Sequence, residues 1–308
     1  MDRKYVISTV FLLVAGAGLV FAVARRAPVP AQTGKMEVVA SFYPLAFFAG
    51  EIGGDQAAVT NITPAGAEPH DYEPTGADMA RIVRSRLLIL NGAGFEAWGT
   101  RVSGALNPVE TTVVSVSDGI ATVADIPEQG KMMTDPHVWL SPLLAQKITD
   151  NILAGFIKVD PLHRADYETN AALLKTRLAN LDRHYRDGLA ACEQKNIVTS
   201  HAAFGYLAAS YGLRQMSIAG MSPDAEPSVV DLARIAEFAK KNNIRTIFFE
   251  TLASPKLSET IAREIGAQTL VLNPIEGLTG GEISRGVNYF TVMQDNLKNL
   301  QIALICKL

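Results

Sequence analysis

Cysteine is almost absent. The 308 residues contain only Cys192 and Cys306, and no CxxC. Two thiolates cannot form a metal cage by themselves. The pair reads as two buried free thiols in preference to a bridge, because spacing does not report their separation; export would nonetheless place them where a disulfide persists. Lys and Arg (28) nearly balance Asp and Glu (31), for a net charge of −3, and no basic stripe exists to receive nucleic acid. Low-complexity runs, heptads and solenoid-length repeats are missing. So are HExxH and GxSxG, the helical zinc-protease and serine-nucleophile signatures. What remains is an ordinary globular composition, 48% hydrophobic, enough for two cores of usual size.

The one long apolar run is N-terminal. Arg3 and Lys4 precede an uncharged stretch from Tyr5 to Ala24, close to the roughly 20 residues that span a bilayer. Ala22-Val23-Ala24 offers a small-x-small cleavage site, but Arg25 and Arg26 follow at once. Residues 1–35 are therefore read as a signal or anchor segment with a tether, an uncleaved membrane anchor being preferred. No cysteine lies nearby, which excludes a lipid anchor on cysteine.

From Met36 strand-like and helix-like segments alternate. Residues 38–42, 57–62, 87–90 and 111–116 read as strands, with helical patterns at 46–52, 78–85, 95–106 and 142–156 between and after them. Ser141-Pro142 reads as a capped helix start. Asp160-Pro161 repeats that signal, and Tyr167, Ala171, Leu174, Leu178, Leu181, Tyr185 and Leu189 then recur at steps of three and four. This predicts one helix of roughly 28 residues, about 40 Å long. Strands at 197–200, 215–219, 246–249 and 269–272 follow, with helices at 228–242, 257–265 and 289–304. The expected fold is α/β: two lobes, each a parallel sheet flanked by helices, at 36–159 and 193–308, joined by a connecting helix at 160–192.

Only five histidines occur. His163 and His184 fall on the connecting helix among charged neighbours and read as solvated. His70 sits in a loop after the second strand, His137 just before the Ser141 cap, and His201 after the first strand of lobe two. Ligands of parallel α/β sheets bind outside the carboxyl ends of the strands, so these three could converge between the lobes. A lone loop histidine is more often structural or exposed; neutral imidazole nevertheless suits zinc, copper, iron and nickel. Glu276, after the last strand, is the best fourth ligand, against a plain solvated carboxylate. Glu68, Asp71, Asp135 and Glu250 are the candidate acceptors for the second ring nitrogens, and Glu68 offers a substitute ligand beside His70. Trp139 reads equally well as core or as a neighbour of the metal.

The stretches AEPHDYEPT (67–75), LNGAGFEAW (90–98), DPHVWLSP (135–142), TSHAAFGYLAASYGL (199–213), SPDAEPS (222–228) and LNPIEGLT (272–279) resemble the metal-binding receptors of ABC importers for zinc and manganese, in family order along nearly the whole chain after residue 35. The resemblance implies two α/β lobes joined by one long helix, a metal buried between them, and His70, His137, His201 and Glu276 as ligands. It implies an extracytoplasmic, monomeric, non-enzymatic receptor that carries Zn2+ as cargo to a membrane permease. Manganese members usually carry glutamate where His201 stands and aspartate as the last ligand, so this donor set points to zinc. No histidine lies between Asp118 and Asp135, where many zinc members carry a histidine-rich acidic loop. The alternatives are a manganese receptor, a zinc hydrolase with an open fourth position, and an adhesin or scaffold with structural metal.

Overall fold

The computed structural model describes residues 34–120, 126–128 and 131–307; the expected anchor and tether at 1–35 fall almost wholly outside them. Among the described residues no helix is long and apolar enough to cross a membrane.

Lobe one runs β1 (Met36–Ala40), α1 (Tyr43–Gly53), β2 (Ala57–Asn61), α2 (Gly76–Arg84), β3 (Leu87–Leu90), α3 (Gly99–Ala105) and β4 (Thr112–Ser115). A short antiparallel hairpin follows, β5 (Ile126–Glu128) and β6 (Lys131–Met133), and then α4 (Pro142–Val159). The long helix α5 spans Arg164–Ala190. Lobe two runs β7 (Asn196–Thr199), α6 (Gly205–Ser210), β8 (Arg214–Ser217), α7 (Val229–Lys241), β9 (Thr246–Phe249), α8 (Lys256–Ile265), β10 (Gln268–Val271), α9 (Gly280–Ser284) and α10 (Tyr289–Ala303). The strand orders are β2-β1-β3-β4 and β10-β9-β7-β8, and every neighbour pair in both sheets is parallel. Each sheet thus reverses direction next to its first strand, between β1 and β3 and between β7 and β9. Those two reversals are the crevices in which such sheets bind ligands.

All seven periodic apolar residues of α5 are buried. They belong to one apolar cluster that also takes in Phe48 of α1, Phe156 of α4 and Met293 of α10. The expectation of two separate cores is therefore corrected: the inner faces share one core, built around the long helix, and smaller clusters cover the outer face of each sheet. Four aromatic rings, Phe47 and Phe48 of α1 with Tyr289 and Phe290 of α10, interlock across the lobes at centroid distances of 4.9–5.9 Å.

Two local readings change. Ser141 precedes α4 but makes no capping bond; its hydroxyl pairs with Ser210 Oγ of lobe two at 2.9 Å. Asp160 likewise caps nothing, because its carboxylate accepts from His163 Nδ1 and the Tyr167 hydroxyl. His163 lies in a short 3-10 turn before α5 and not within it, whereas His184 is exposed on α5 as expected. The free-thiol reading is also corrected. Cys192 and Cys306 are bonded, next to an antiparallel bridge between the same residues. The disulfide closes a loop that contains the whole of lobe two, and loop-closure entropy makes a cross-link of this span worth about 2–5 kcal/mol.

Candidate metal centre

His70 lies in the loop after β2. His137 opens a single 3-10 turn, Val138–Leu140, on the way to α4. His201 stands just beyond β7 and Glu276 just beyond β10. All four loops leave the carboxyl side of the sheets, and the structure brings the four side chains together. The Nε2 atoms of His70, His137 and His201 stand 3.2, 3.3 and 3.2 Å from Glu276 Oε1. His137 Nε2 is 3.3 Å from each of the other two imidazole nitrogens, and all four donors lie within 4.8 Å of one another. A tetrahedral ion with bonds of about 2.0–2.1 Å needs ligand atoms roughly 3.3–3.4 Å apart. Five of the six separations among the donors are therefore already those of a zinc tetrahedron, and the sixth, from His70 to His201, is within 4.8 Å. His137 and His201 are fully buried and Glu276 is 1% exposed; only His70, at 11% of its side chain, reaches solvent.

The carboxylates behind the rings fix which nitrogen faces inward. Asp135 Oδ1 accepts from His137 Nδ1 at 2.8 Å and from its backbone N–H at 2.9 Å. Glu250 Oε1 accepts from His201 Nδ1 at 2.7 Å, from the His201 backbone N–H, and from the Ser200 hydroxyl. With both Nδ1 atoms donating outward, the Nε2 lone pairs of two buried imidazoles point at each other and at a carboxylate oxygen. Only a cation relieves that arrangement. Glu68 and Asp71 do not serve as ring acceptors. Glu68 accepts the His70 backbone N–H and stays outside the four-donor group, while Asp71 turns toward Asp224, whose carboxyl it pushes up.

The charges behave accordingly. Burial alone would push both imidazoles down. His137 is instead raised by its bonds to Asp135 and Glu276, and His201 is raised well above the usual histidine value by Glu250 and Glu276. Burial would raise Glu276, but the His201 charge and bonds from three imidazoles hold it well below the usual carboxylate range. Glu68, half-buried and facing the Glu276 charge, is pushed up to about 8 by desolvation and that charge.

The family described as the periplasmic component A of the zinc-uptake complex matches residues 38–303. The chain belongs to this family. Among its relatives, the high-affinity zinc uptake system protein ZnuA of Bacillus subtilis (strain 168) is 38% identical over 313 residues, covering 98% of this chain and 97% of that protein. The zinc-binding lipoprotein AdcA of Streptococcus pneumoniae (strain ATCC BAA-255 / R6) is also 38% identical, over 278 residues; 87% of this chain matches 56% of AdcA, about half its length. The crystal structure of the Zn(II)-bound ZnuA-like domain of S. pneumoniae AdcA superposes with a TM-score of 0.77 at 38% identity, covering 88% of this chain and 99% of that domain. The fold expected from the sequence, two α/β lobes and a long helix, is the fold of these zinc-uptake proteins.

Other residues that shape the centre carry weak signals in the sequence. Glu96 is buried at the β1/β3 crevice, where it accepts from the Ser41 hydroxyl and the backbone N–H groups of Asn91 and Gly92. This holds the loop whose Phe95 ring packs on His70 with centroids 4.5 Å apart. Gly205 opens α6, and a Cβ there would stand 2.6 Å from Asp135 Oδ2. The glycine leaves room for the carboxylate that orients His137. Gly205→Ala is expected to weaken zinc binding by roughly 10–100-fold, the usual cost of disturbing such a partner, with the fold intact by circular dichroism. Chelator competition gives the number; unchanged affinity would show that the carboxylate tolerates displacement.

Proposed function

We propose that this protein is an extracytoplasmic receptor that captures one zinc ion between its lobes and delivers it to the membrane permease of an ABC importer. The observation that carries the reading is the buried tetrahedron of three imidazole nitrogens and one carboxylate oxygen, with the lone pairs converging. His70, His137, His201 and Glu276 are its ligands, and zinc is cargo. The relatives, a zinc-uptake system protein and a zinc-binding lipoprotein, agree with this reading. Nitrogen-rich coordination favours zinc over manganese, which prefers more oxygen. Four protein donors leave no coordination position for a catalytic water, which speaks for a non-enzymatic carrier and against a zinc hydrolase. Residues 1–35 serve as the signal or anchor segment, with an uncleaved membrane anchor preferred; 36–159 and 193–308 are the lobes of a monomeric receptor, and 160–192 joins them.

Zinc needs neutral imidazoles, so protons compete with it. His137 and His201 hold protons above the ordinary histidine value of about 6.5. Zinc affinity is therefore expected to fall steadily as pH drops from about 8 to about 5.5, and the fall begins above the pH at which an unperturbed histidine would titrate. The same shifts stabilise the metal-free fold at low pH and are lost as pH rises through the raised values. Titration of zinc at several pH values tests the reading. A flat profile contradicts a three-histidine site.

A further inference from the structure

Glu276 hangs on a strained loop. Ile275, the residue before it, is fully buried and adopts φ +60°. A β-branched residue in the left-handed region is a steric outlier. Such a conformation persists only where its surroundings over-determine it, and such outliers cluster at functional sites. Here two bonds hold the strained residue. The Asn273 side-chain oxygen accepts the Ile275 N–H at 2.7 Å, and the Trp139 indole N–H donates to the Pro274 carbonyl at 2.8 Å. The second bond crosses from the His137 loop of lobe one to the Glu276 loop of lobe two. Trp139 is itself gripped from lobe two, because the Tyr289 hydroxyl donates to its backbone carbonyl at 2.6 Å. Its ring packs against Phe42, Phe95 and His137 with centroids 4.8, 5.3 and 5.2 Å away. The indole is fully buried, so its N–H has no water to fall back on.

We propose that Trp139 is a positioning residue for the metal centre: its indole N–H pins the strained Pro274-Ile275 peptide and so holds the Glu276 carboxylate in place against the three imidazoles. The inference rests on the zinc-receptor reading above. Trp139 joins the backbone that precedes one ligand to the backbone that follows another, so the distance between His137 and Glu276 is set by a bond that touches neither. When that bond is cut, the peptide relaxes toward an unstrained conformation and carries Glu276 away from the ion, while the imidazoles stay where Asp135 and Glu250 hold them.

The test is a double-mutant cycle. Zinc affinity is measured by chelator competition for the unaltered protein, Trp139→Phe, Glu276→Ala and the double variant. Phenylalanine keeps most of the ring packing and removes the N–H. Trp139→Phe is expected to weaken zinc about tenfold, at the low end for a residue that orients a ligand. The same change in the Glu276→Ala background is expected to cost less than about twofold, because no carboxylate remains to be positioned. The visible absorption of the cobalt(II)-loaded Trp139→Phe variant should also shift away from the tetrahedral spectrum of the unaltered protein. If Trp139→Phe does not fold, Tyr289→Phe replaces it in the cycle, since it loosens the grip on Trp139 and keeps its own ring. An equal loss in both backgrounds, or no loss in either, overturns the positioning role while leaving the receptor reading intact. Failure of the unaltered protein to bind zinc overturns the receptor reading instead.

Discussion

Replacing His201 by alanine is expected to weaken zinc binding by roughly a hundred- to a thousandfold. Structural zinc sites bind with about 10–16 kcal/mol; divided among four ligands, each accounts for roughly 3–4 kcal/mol, or two to three decades in Kd. His201 should lie at the upper end, because it is fully buried and bonded behind to Glu250. Its loss also leaves the Glu250 carboxylate, 4% exposed, without its ring donor. The carboxylate keeps the Ser200 hydroxyl and the backbone N–H of residue 201, and the one lost bond to a charged group costs about 1.5–3 kcal/mol, so the metal-free variant should melt a few degrees below the parent. Chelator competition and a melting curve read the two effects separately. A loss of less than about tenfold would remove His201 from the ligand set.

Zinc is expected to raise the melting temperature by roughly 8–16 °C. A ligand at a thousand times its Kd adds about 4.1 kcal/mol to the folded state, and each kcal/mol is worth about 2–4 °C in a chain of this size. The stripped protein should keep its helical signal. The shared core is carried by apolar residues of α1, α4, α5 and α10 that need no ion, and the Cys192–Cys306 bond ties lobe two independently of any metal. This separates a carrier from a scaffold with structural metal, which would unfold when chelated. Collapse of the circular dichroism spectrum on metal removal would favour the scaffold.

The sheets, the long helix and the group of four candidate donors were legible in the sequence for identifiable reasons. Strands 87–90 and 246–249 were located to the residue because they are continuous apolar runs between polar punctuation, as buried parallel strands are. The helix α5 showed itself through uninterrupted periodicity. The candidate donors stood out because histidine is rare here and because His201 and Glu276 follow directly on strands, while His70 and His137 sit in loops beside prolines. What escaped notice depends on contacts between distant segments. The hydroxyl of Ser141 reads as a cap locally but is drawn to Ser210, 69 residues away. The disulfide depends on where α5 and α10 end relative to each other, which no local pattern encodes. The short helices α6 and α9 are too brief to display a period. The shared core was missed because each helix announces that it has an apolar face, but not which lobe that face meets. Ile275 carries no local sign of its left-handed backbone, since β-branched residues normally avoid it.

The proposed receptor has one buried zinc site, made by His70, His137, His201 and Glu276. Calorimetric titration of zinc, and separately of manganese, into the metal-stripped protein tests it most directly. One tight equivalent of zinc, with manganese far weaker, is the predicted result. Weak binding of both ions, or a stoichiometry other than one, would contradict it.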